Sequence, residues 1–154
     1  MSTITGLPAH ILLNHFLVVL VPLTAILAIL CAVWPAALQR LVWLVGALSV
    51  VVLVLAPLTT SAGEWLEHEL GAESPALSAH EALGKTVLYV TIAQVLAAAA
   101  LVFVHLRRTR DLAVNTMLNV AVAVVVIVIS ALSMVQIVRI GDSGARAVWS
   151  GVVQ

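Results

Sequence analysis

The chain has 154 residues, of which 63% are hydrophobic and 9% are charged, and its formal net charge is zero. A soluble domain of this length could not cover so much apolar surface, so the composition is typical of a membrane protein. Zero net charge gives no reason to expect nucleic acid as a partner. The single cysteine excludes an internal disulfide and a cysteine-based metal site.

Four stretches contain no Lys, Arg, Asp or Glu: Ile11–Val33, Leu41–Leu58, Thr86–Val104 and Leu112–Val138. A bilayer core of about 30 Å needs roughly 20 apolar residues of helix, so each stretch is long enough to span it. We predict an all-α membrane protein, in which residues 1–154 form a single four-helix transmembrane bundle of up-down-up-down topology. The predicted spans are 9–34, 38–58, 79–106 and 112–138.

The segment between the second and third spans is predicted to hold a short amphipathic surface helix at residues 62–70. Ser61 and Glu64 fit a capping box, and the apolar Trp65 and Leu66 follow them. The C-terminal tail 139–154 contains several glycines that break helices, and its Ala-Val-Trp sequence is apolar. We expect this tail to fold back on the outer end of the bundle.

The positive charges predict the orientation. Four cations lie in the connections between spans one and two and between spans three and four: Arg40, Arg107, Arg108 and Arg110. The other side carries three: Lys85, Arg139 and Arg146. Cationic loops favour the cytoplasm, so we expect an N-out, C-out topology in the bacterial cytoplasmic membrane.

With this topology, four of the five histidines lie at the outer end, namely His10, His15, His68 and His80, and only His105 lies opposite. Ionisable side chains at a membrane boundary are costly, so their clustering indicates a ligand site. His10 and His80 open the first and third helices within the repeated dipeptide Ala-His. His15 lies about 140° around the first helix from His10, so a regular helix directs only one of them to the axis.

Helices one and three of such a bundle are diagonal neighbours, and one histidine from each is the arrangement that bis-histidine haem b requires. His80 is the preferred ligand, with His10 or His15 as its partner. Gly84, one turn from His80, would clear space for the porphyrin edge. Arg139 and Arg146 would meet the propionates through charge-assisted hydrogen bonds. This hypothesis makes the chain an electron-transfer protein.

Two alternatives stay open. Glu64 and His68 share a face of the predicted surface helix, and with His10 or His80 they could bind a non-haem Fe, Cu or Zn ion. The chain could also be an accessory structural subunit of a larger membrane complex, without any cofactor. Whether the protein is an enzyme stays open in all three hypotheses.

The opening Gly-Leu-Pro-Ala-His10-Ile-Leu-Leu-Asn-His15-Phe16, followed by an apolar run, resembles a bacterial membrane family catalogued as a domain of unknown function, number two-two-three-one. That family often has Pro after the first histidine, where this chain has Ile11. The resemblance covers the four helices, and the tail resembles the actinobacterial members. Some members of that family are joined to Rieske-type or cytochrome domains, and this resemblance implies electron transfer near a haem. The resemblance therefore implies a redox partner protein, in the membrane or outside the cytoplasm, besides the lipid bilayer.

Overall fold

The computed structural model describes residues 3–4, 7–70 and 75–149, in which helices account for nearly every residue. Two strands of two residues, β1 (Thr3–Ile4) and β2 (Leu7–Pro8), pair antiparallel ahead of the first helix. The helices are α1 (Ala9–Val33), α2 (Pro35–Leu70), α3 (Pro75–Gly84), α4 (Val87–Thr109) and α5 (Thr116–Trp149).

Four stretches of helix are long and apolar enough to cross a membrane: Ala9–Val33, Pro35–Glu69, Pro75–Thr109 and Thr116–Val148. The third stretch joins α3 and α4 through a turn at Lys85 and Thr86. The predicted fold class, an all-α protein with four spanning helices, is confirmed.

The four long helices form a bundle in which α1 and α4 each pack against both α2 and α5. α1 and α4 also touch across the bundle axis, so the first and third spans are diagonal neighbours as expected. The amide Nε2 of Gln94 in α4 donates a hydrogen bond of 3.0 Å to the Val21 carbonyl of α1. α3 packs mainly against α5.

The inward faces of α1 and α4 follow the helical period of the sequence. The buried residues of these faces are Leu17, Val21, Thr24 and Ala28 on α1, and Val87, Thr91, Gln94 and Ala98 on α4. Small and polar residues are typical of helix contacts in membranes, because they let the backbones approach closely. Large apolar side chains such as Leu96 and Val138 are exposed on the outside, where they would contact lipid.

The structure corrects the prediction for the segment after the second span. Residues 62–70 do not form a separate surface helix, because α2 runs without interruption from Pro35 to Leu70. Pro57 lies inside the helix, and the hydroxyls of Thr59 and Thr60 donate to the carbonyls one turn back. The short helix between the second and third spans is α3, at Pro75–Gly84.

The prediction for the tail is also corrected as far as residue 149, and 150–154 lie outside the described residues. Instead of folding back, residues 139–149 continue α5. A glycine in a helix lowers stability by only about 1 kcal/mol relative to alanine, so Gly141 and Gly144 weaken this part of α5 without ending the helix. Arg146 Nε lies 2.9 Å from the Asp142 carboxylate, and this ion pair one turn apart stabilises the helix.

Candidate functional site

His10 of α1 and His80 of α3 meet at one end of the bundle, which we call the histidine end. Their ring centroids are 6.3 Å apart and their planes are inclined by 82°. Both side chains are half-buried. The structure therefore brings together the two histidines that open the matching halves of the sequence.

The backbone of α2 holds the His10 ring. His10 Nδ1 lies 2.9 Å from the Thr59 carbonyl oxygen, which can only accept, so the ring nitrogen carries the hydrogen. Gly63, one turn further along α2, lies directly against the ring. A Cβ atom at position 63 would be 2.9 Å from both Cε1 and Nδ1 of His10.

The His80 ring is held by α5 in a closely related way. His80 Nδ1 lies 2.9 Å from the Ser143 hydroxyl oxygen. Ser143 donates its own hydrogen to the Ile140 carbonyl over 2.8 Å, so the hydroxyl accepts from the ring. Gly144 faces the same ring, and a Cβ atom there would be 3.0 Å from His80 Cε1.

These contacts set the chemistry of both imidazoles. With the hydrogen on Nδ1, a neutral ring keeps the lone pair of Nε2 for a ligand, as in metal-binding histidines whose Nδ1–H donates to a carbonyl or similar acceptor. In each half of the chain, a carbonyl (Thr59 or Ile140) lies four residues before the glycine that touches the ring. The two histidines of the repeated Ala-His dipeptide are thus held in similar ways.

The other predicted ligands lie elsewhere. His15 is exposed, and its Nδ1 donates to the Ile11 carbonyl of its own helix over 2.6 Å, away from the histidine pair. Glu64 and His68 are exposed on α2. Within 3–4, 7–70 and 75–149, no three His, Cys, Asp or Glu residues come together as a metal site.

The remaining predicted site residues are Gly84, Arg139 and Arg146. Gly84 ends α3, and a Cβ atom there would meet nothing within 4 Å, which leaves open space one turn from His80. Arg139 and Arg146 are both exposed on α5. Arg146 is paired with Asp142. Arg139 has no ion pair among the described residues, so it is the more available cation.

His105 lies at the opposite end of the bundle, as the sequence predicts. Its ring packs edge-on against Trp43, with ring centroids 6.2 Å apart. It therefore belongs to an aromatic contact between α2 and α4, far from the histidine pair.

Sequence reasoning missed the four residues that touch the two rings: Thr59, Gly63, Ser143 and Gly144. All four lie outside the predicted spans, Thr59 and Gly63 after the second span and Ser143 and Gly144 in the predicted tail. A recognisable signal exists in the form of a small polar residue close before a glycine near the end of each hairpin, in Ser-Ala-Gly and Ser-Gly. That signal indicates a contact with the histidines only if α2 and α5 continue as helices far enough to reach the two rings.

The donor set fits haem better than a bare ion. Two imidazoles are too few for a zinc or iron site made by the protein alone, but they supply both axial ligands of a porphyrin iron.

Comparison with known proteins identifies the family but no function. The family model described as "Predicted membrane protein (DUF2231)" matches residues 6–154. No curated protein and no solved structure shows significant similarity to the chain. Because the match covers nearly the whole sequence, the chain belongs to the DUF2231 family of predicted membrane proteins.

Proposed function

We propose that this membrane protein carries electrons through a haem b whose axial ligands are His10 and His80. The single observation that carries the proposal is the meeting of two inward histidines, each with Nδ1 bound to a neighbouring helix and Nε2 left as a lone pair. When bound, haem supplies one-electron redox chemistry. The chain supplies the ligands and the electrostatic surroundings.

The hydrogen bonds at Nδ1 orient the ligands and increase their basicity. The Thr59 carbonyl and the Ser143 hydroxyl each accept from an imidazole, which fixes the ring and leaves the lone pair on Nε2. Gly63 and Gly144 allow this close approach because they carry no side chain. Both rings are thus held by hydrogen bonds and close contacts, so few side-chain rotamers are lost on binding.

Charges near the pair fit a cofactor with propionate groups. The exposed Arg139, which has no ion pair among residues 3–4, 7–70 and 75–149, supports the assignment to a propionate. To bind a propionate, Arg146 would have to give up its ion pair with Asp142, so we assign it the weaker role in propionate binding. The open space beside Gly84 supports its assignment to the porphyrin edge.

The visible spectrum of the purified protein, oxidised and then reduced with dithionite, tests this function. A Soret band with sharp α and β bands on reduction is the expected result. A colourless protein with stoichiometric Fe, Cu or Zn would favour the non-haem alternative, with Glu64 and His68 as further ligands. A protein with neither colour nor metal would favour the accessory-subunit alternative.

We also propose that the histidine end faces the outside of a bacterial cytoplasmic membrane, where it would meet a redox partner protein. The four arginines at the opposite end support this orientation. A membrane-impermeant thiol reagent added to intact cells should label the variants Ala79→Cys and Ala145→Cys but not Thr109→Cys, all three being exposed positions. Labelling of Thr109→Cys alone would place the histidine end in the cytoplasm.

A further inference from the structure

The end of the bundle opposite the histidines carries a strong excess of positive charge. Among the described residues it holds Arg40, Arg107, Arg108 and Arg110, against a single acid, Asp111. Two helices begin and two helices end here, so their macrodipoles largely cancel and the arginines set the sign of the potential. We call this end the arginine end.

Within residues 3–4, 7–70 and 75–149, no ion pair joins these arginines to a carboxylate. Both ion pairs found among the described residues, Glu81–Lys85 and Asp142–Arg146, lie at the histidine end. Arg108 donates from a terminal guanidinium nitrogen to the Asn119 amide oxygen over 2.7 Å, which fixes its position without neutralising it. Arg107 Nε is buried and has no hydrogen-bond partner. The guanidinium groups are therefore placed for a partner outside the chain.

The surroundings of Arg107 indicate that this partner comes from the lipid side. Its guanidinium carbon lies 5.7 Å from the ring centroid of Phe103, a side chain that is half exposed on the lipid-facing surface of α4. Trp34 and Trp43, exposed at the same end, are typical of the headgroup layer. Arg107 thus lies at the depth where lipid phosphates occur.

A small cavity next to Arg108 is consistent with this location. It measures about 50 Å³ and is lined by the ends of all four spans, including Pro35, Val104 and Asn119. Arg108 and Asn119 contribute polar side chains to this lining, so the Arg108 guanidinium borders a gap between the helix ends.

We propose that the arginine end binds an anionic phospholipid, whose phosphate group contacts Arg107, while Arg108 adds positive charge at the same end. Guanidinium groups recognise phosphate through paired hydrogen bonds, and a basic cluster at the end of a spanning helix attracts anionic headgroups. The acyl chains would extend along the exposed apolar surface of α4 beside Phe103.

Native mass spectrometry of the full chain in detergent tests the proposal, with phosphatidylglycerol and phosphatidylcholine of identical acyl chains as probes. The wild type should retain phosphatidylglycerol in preference to phosphatidylcholine. Arg107→Gln should reduce this preference about fivefold, and the double variant R107Q/R108Q about thirtyfold. Arg107→Gln removes no side-chain hydrogen bond, so it keeps the test valid if the double variant does not fold.

The matched control for Arg107→Gln is Lys85→Gln, which removes one positive charge at the histidine end and should change the lipid preference less than twofold. Equal retention of the two lipids by the wild type, or an equal loss in the control, would overturn the proposal. Excess inorganic phosphate should not displace the lipid. Displacement by phosphate alone would assign the site to a soluble anion and would likewise overturn it.

Discussion

A methyl group at Gly63 should disrupt the position of His10, and this prediction tests the geometry of the pair directly. The Cβ atom of Gly63→Ala would lie 2.9 Å from Cε1 and Nδ1 of His10. Carbon atoms in favourable contact are about 3.5–4.0 Å apart, so the ring must move by at least roughly half an ångström. The ring would then lose its hydrogen bond to the Thr59 carbonyl.

The expected magnitude follows from three opposing contributions. Overpacking costs about 1–3 kcal/mol and the lost hydrogen bond about 1 kcal/mol. Replacing glycine by alanine in a helix contributes about 1 kcal/mol in the other direction. Gly63→Ala should therefore lower the free energy of unfolding by about 1–3 kcal/mol.

The same helix provides a matched control. At Gly46, a Cβ atom would meet nothing within 4 Å, so Gly46→Ala should stabilise the protein by roughly 0.5–1 kcal/mol. Unfolding of both variants in detergent, followed by circular dichroism, measures the difference. Equal stability of Gly63→Ala and Gly46→Ala would refute the close contact between His10 and α2.

The corresponding pair on α5 is Gly144 and Gly141. Gly144→Ala brings Cβ to 3.0 Å from His80 Cε1, a smaller overlap, whereas Gly141→Ala meets nothing within 4 Å. We expect the free energy of unfolding to be lower for Gly144→Ala than for Gly141→Ala. This difference should be smaller than the one between Gly63→Ala and Gly46→Ala on α2. The opposite order would contradict the placement of His80.

Three further predictions concern single hydrogen bonds. Gln94→Leu removes the bond to the Val21 carbonyl, but it also removes a buried amide oxygen without a partner, so the free energy of unfolding in detergent should fall by less than about 1 kcal/mol. Asn115→Ala removes the side-chain acceptor of the Leu118 N–H at the start of α5 and should cost about 1 kcal/mol in the same assay. Ser143→Ala removes the acceptor of His80 Nδ1, so a redox titration of the haem protein should give a higher potential with the iron still ligated.

The sequence predicted the four spanning helices because that prediction rests only on the length of the charge-free stretches. Leu17, Val21 and Thr24 share one helical face, and burial follows that face. The ends of the helices were harder to predict. Glycine and proline weaken a helix locally, but the Asp142–Arg146 ion pair and the packing of α3 on α5 favour its continuation. The packing of α3 on α5 depends on residues distant in the sequence, so the sequence of the tail alone does not reveal it.

The histidine site was predictable in part for the same reason. The shared opening of the two hairpins indicated His10 and His80, and the structure places these two together. The angular separation of His10 and His15 predicted that only one of them faces the axis, but it could not say which. The partners at Thr59 and Ser143 required the true lengths of α2 and α5.

Haem content and the reduced visible spectrum of His10→Ala, His80→Ala and His15→Ala, each purified beside the wild type, test the central claim most directly. The account predicts that His10→Ala and His80→Ala each lose the bis-histidine spectrum, because each removes one axial ligand. His15→Ala should keep the spectrum and full haem content, since its exposed ring lies away from the pair. Full haem occupancy with an unchanged spectrum in His80→Ala would contradict the account.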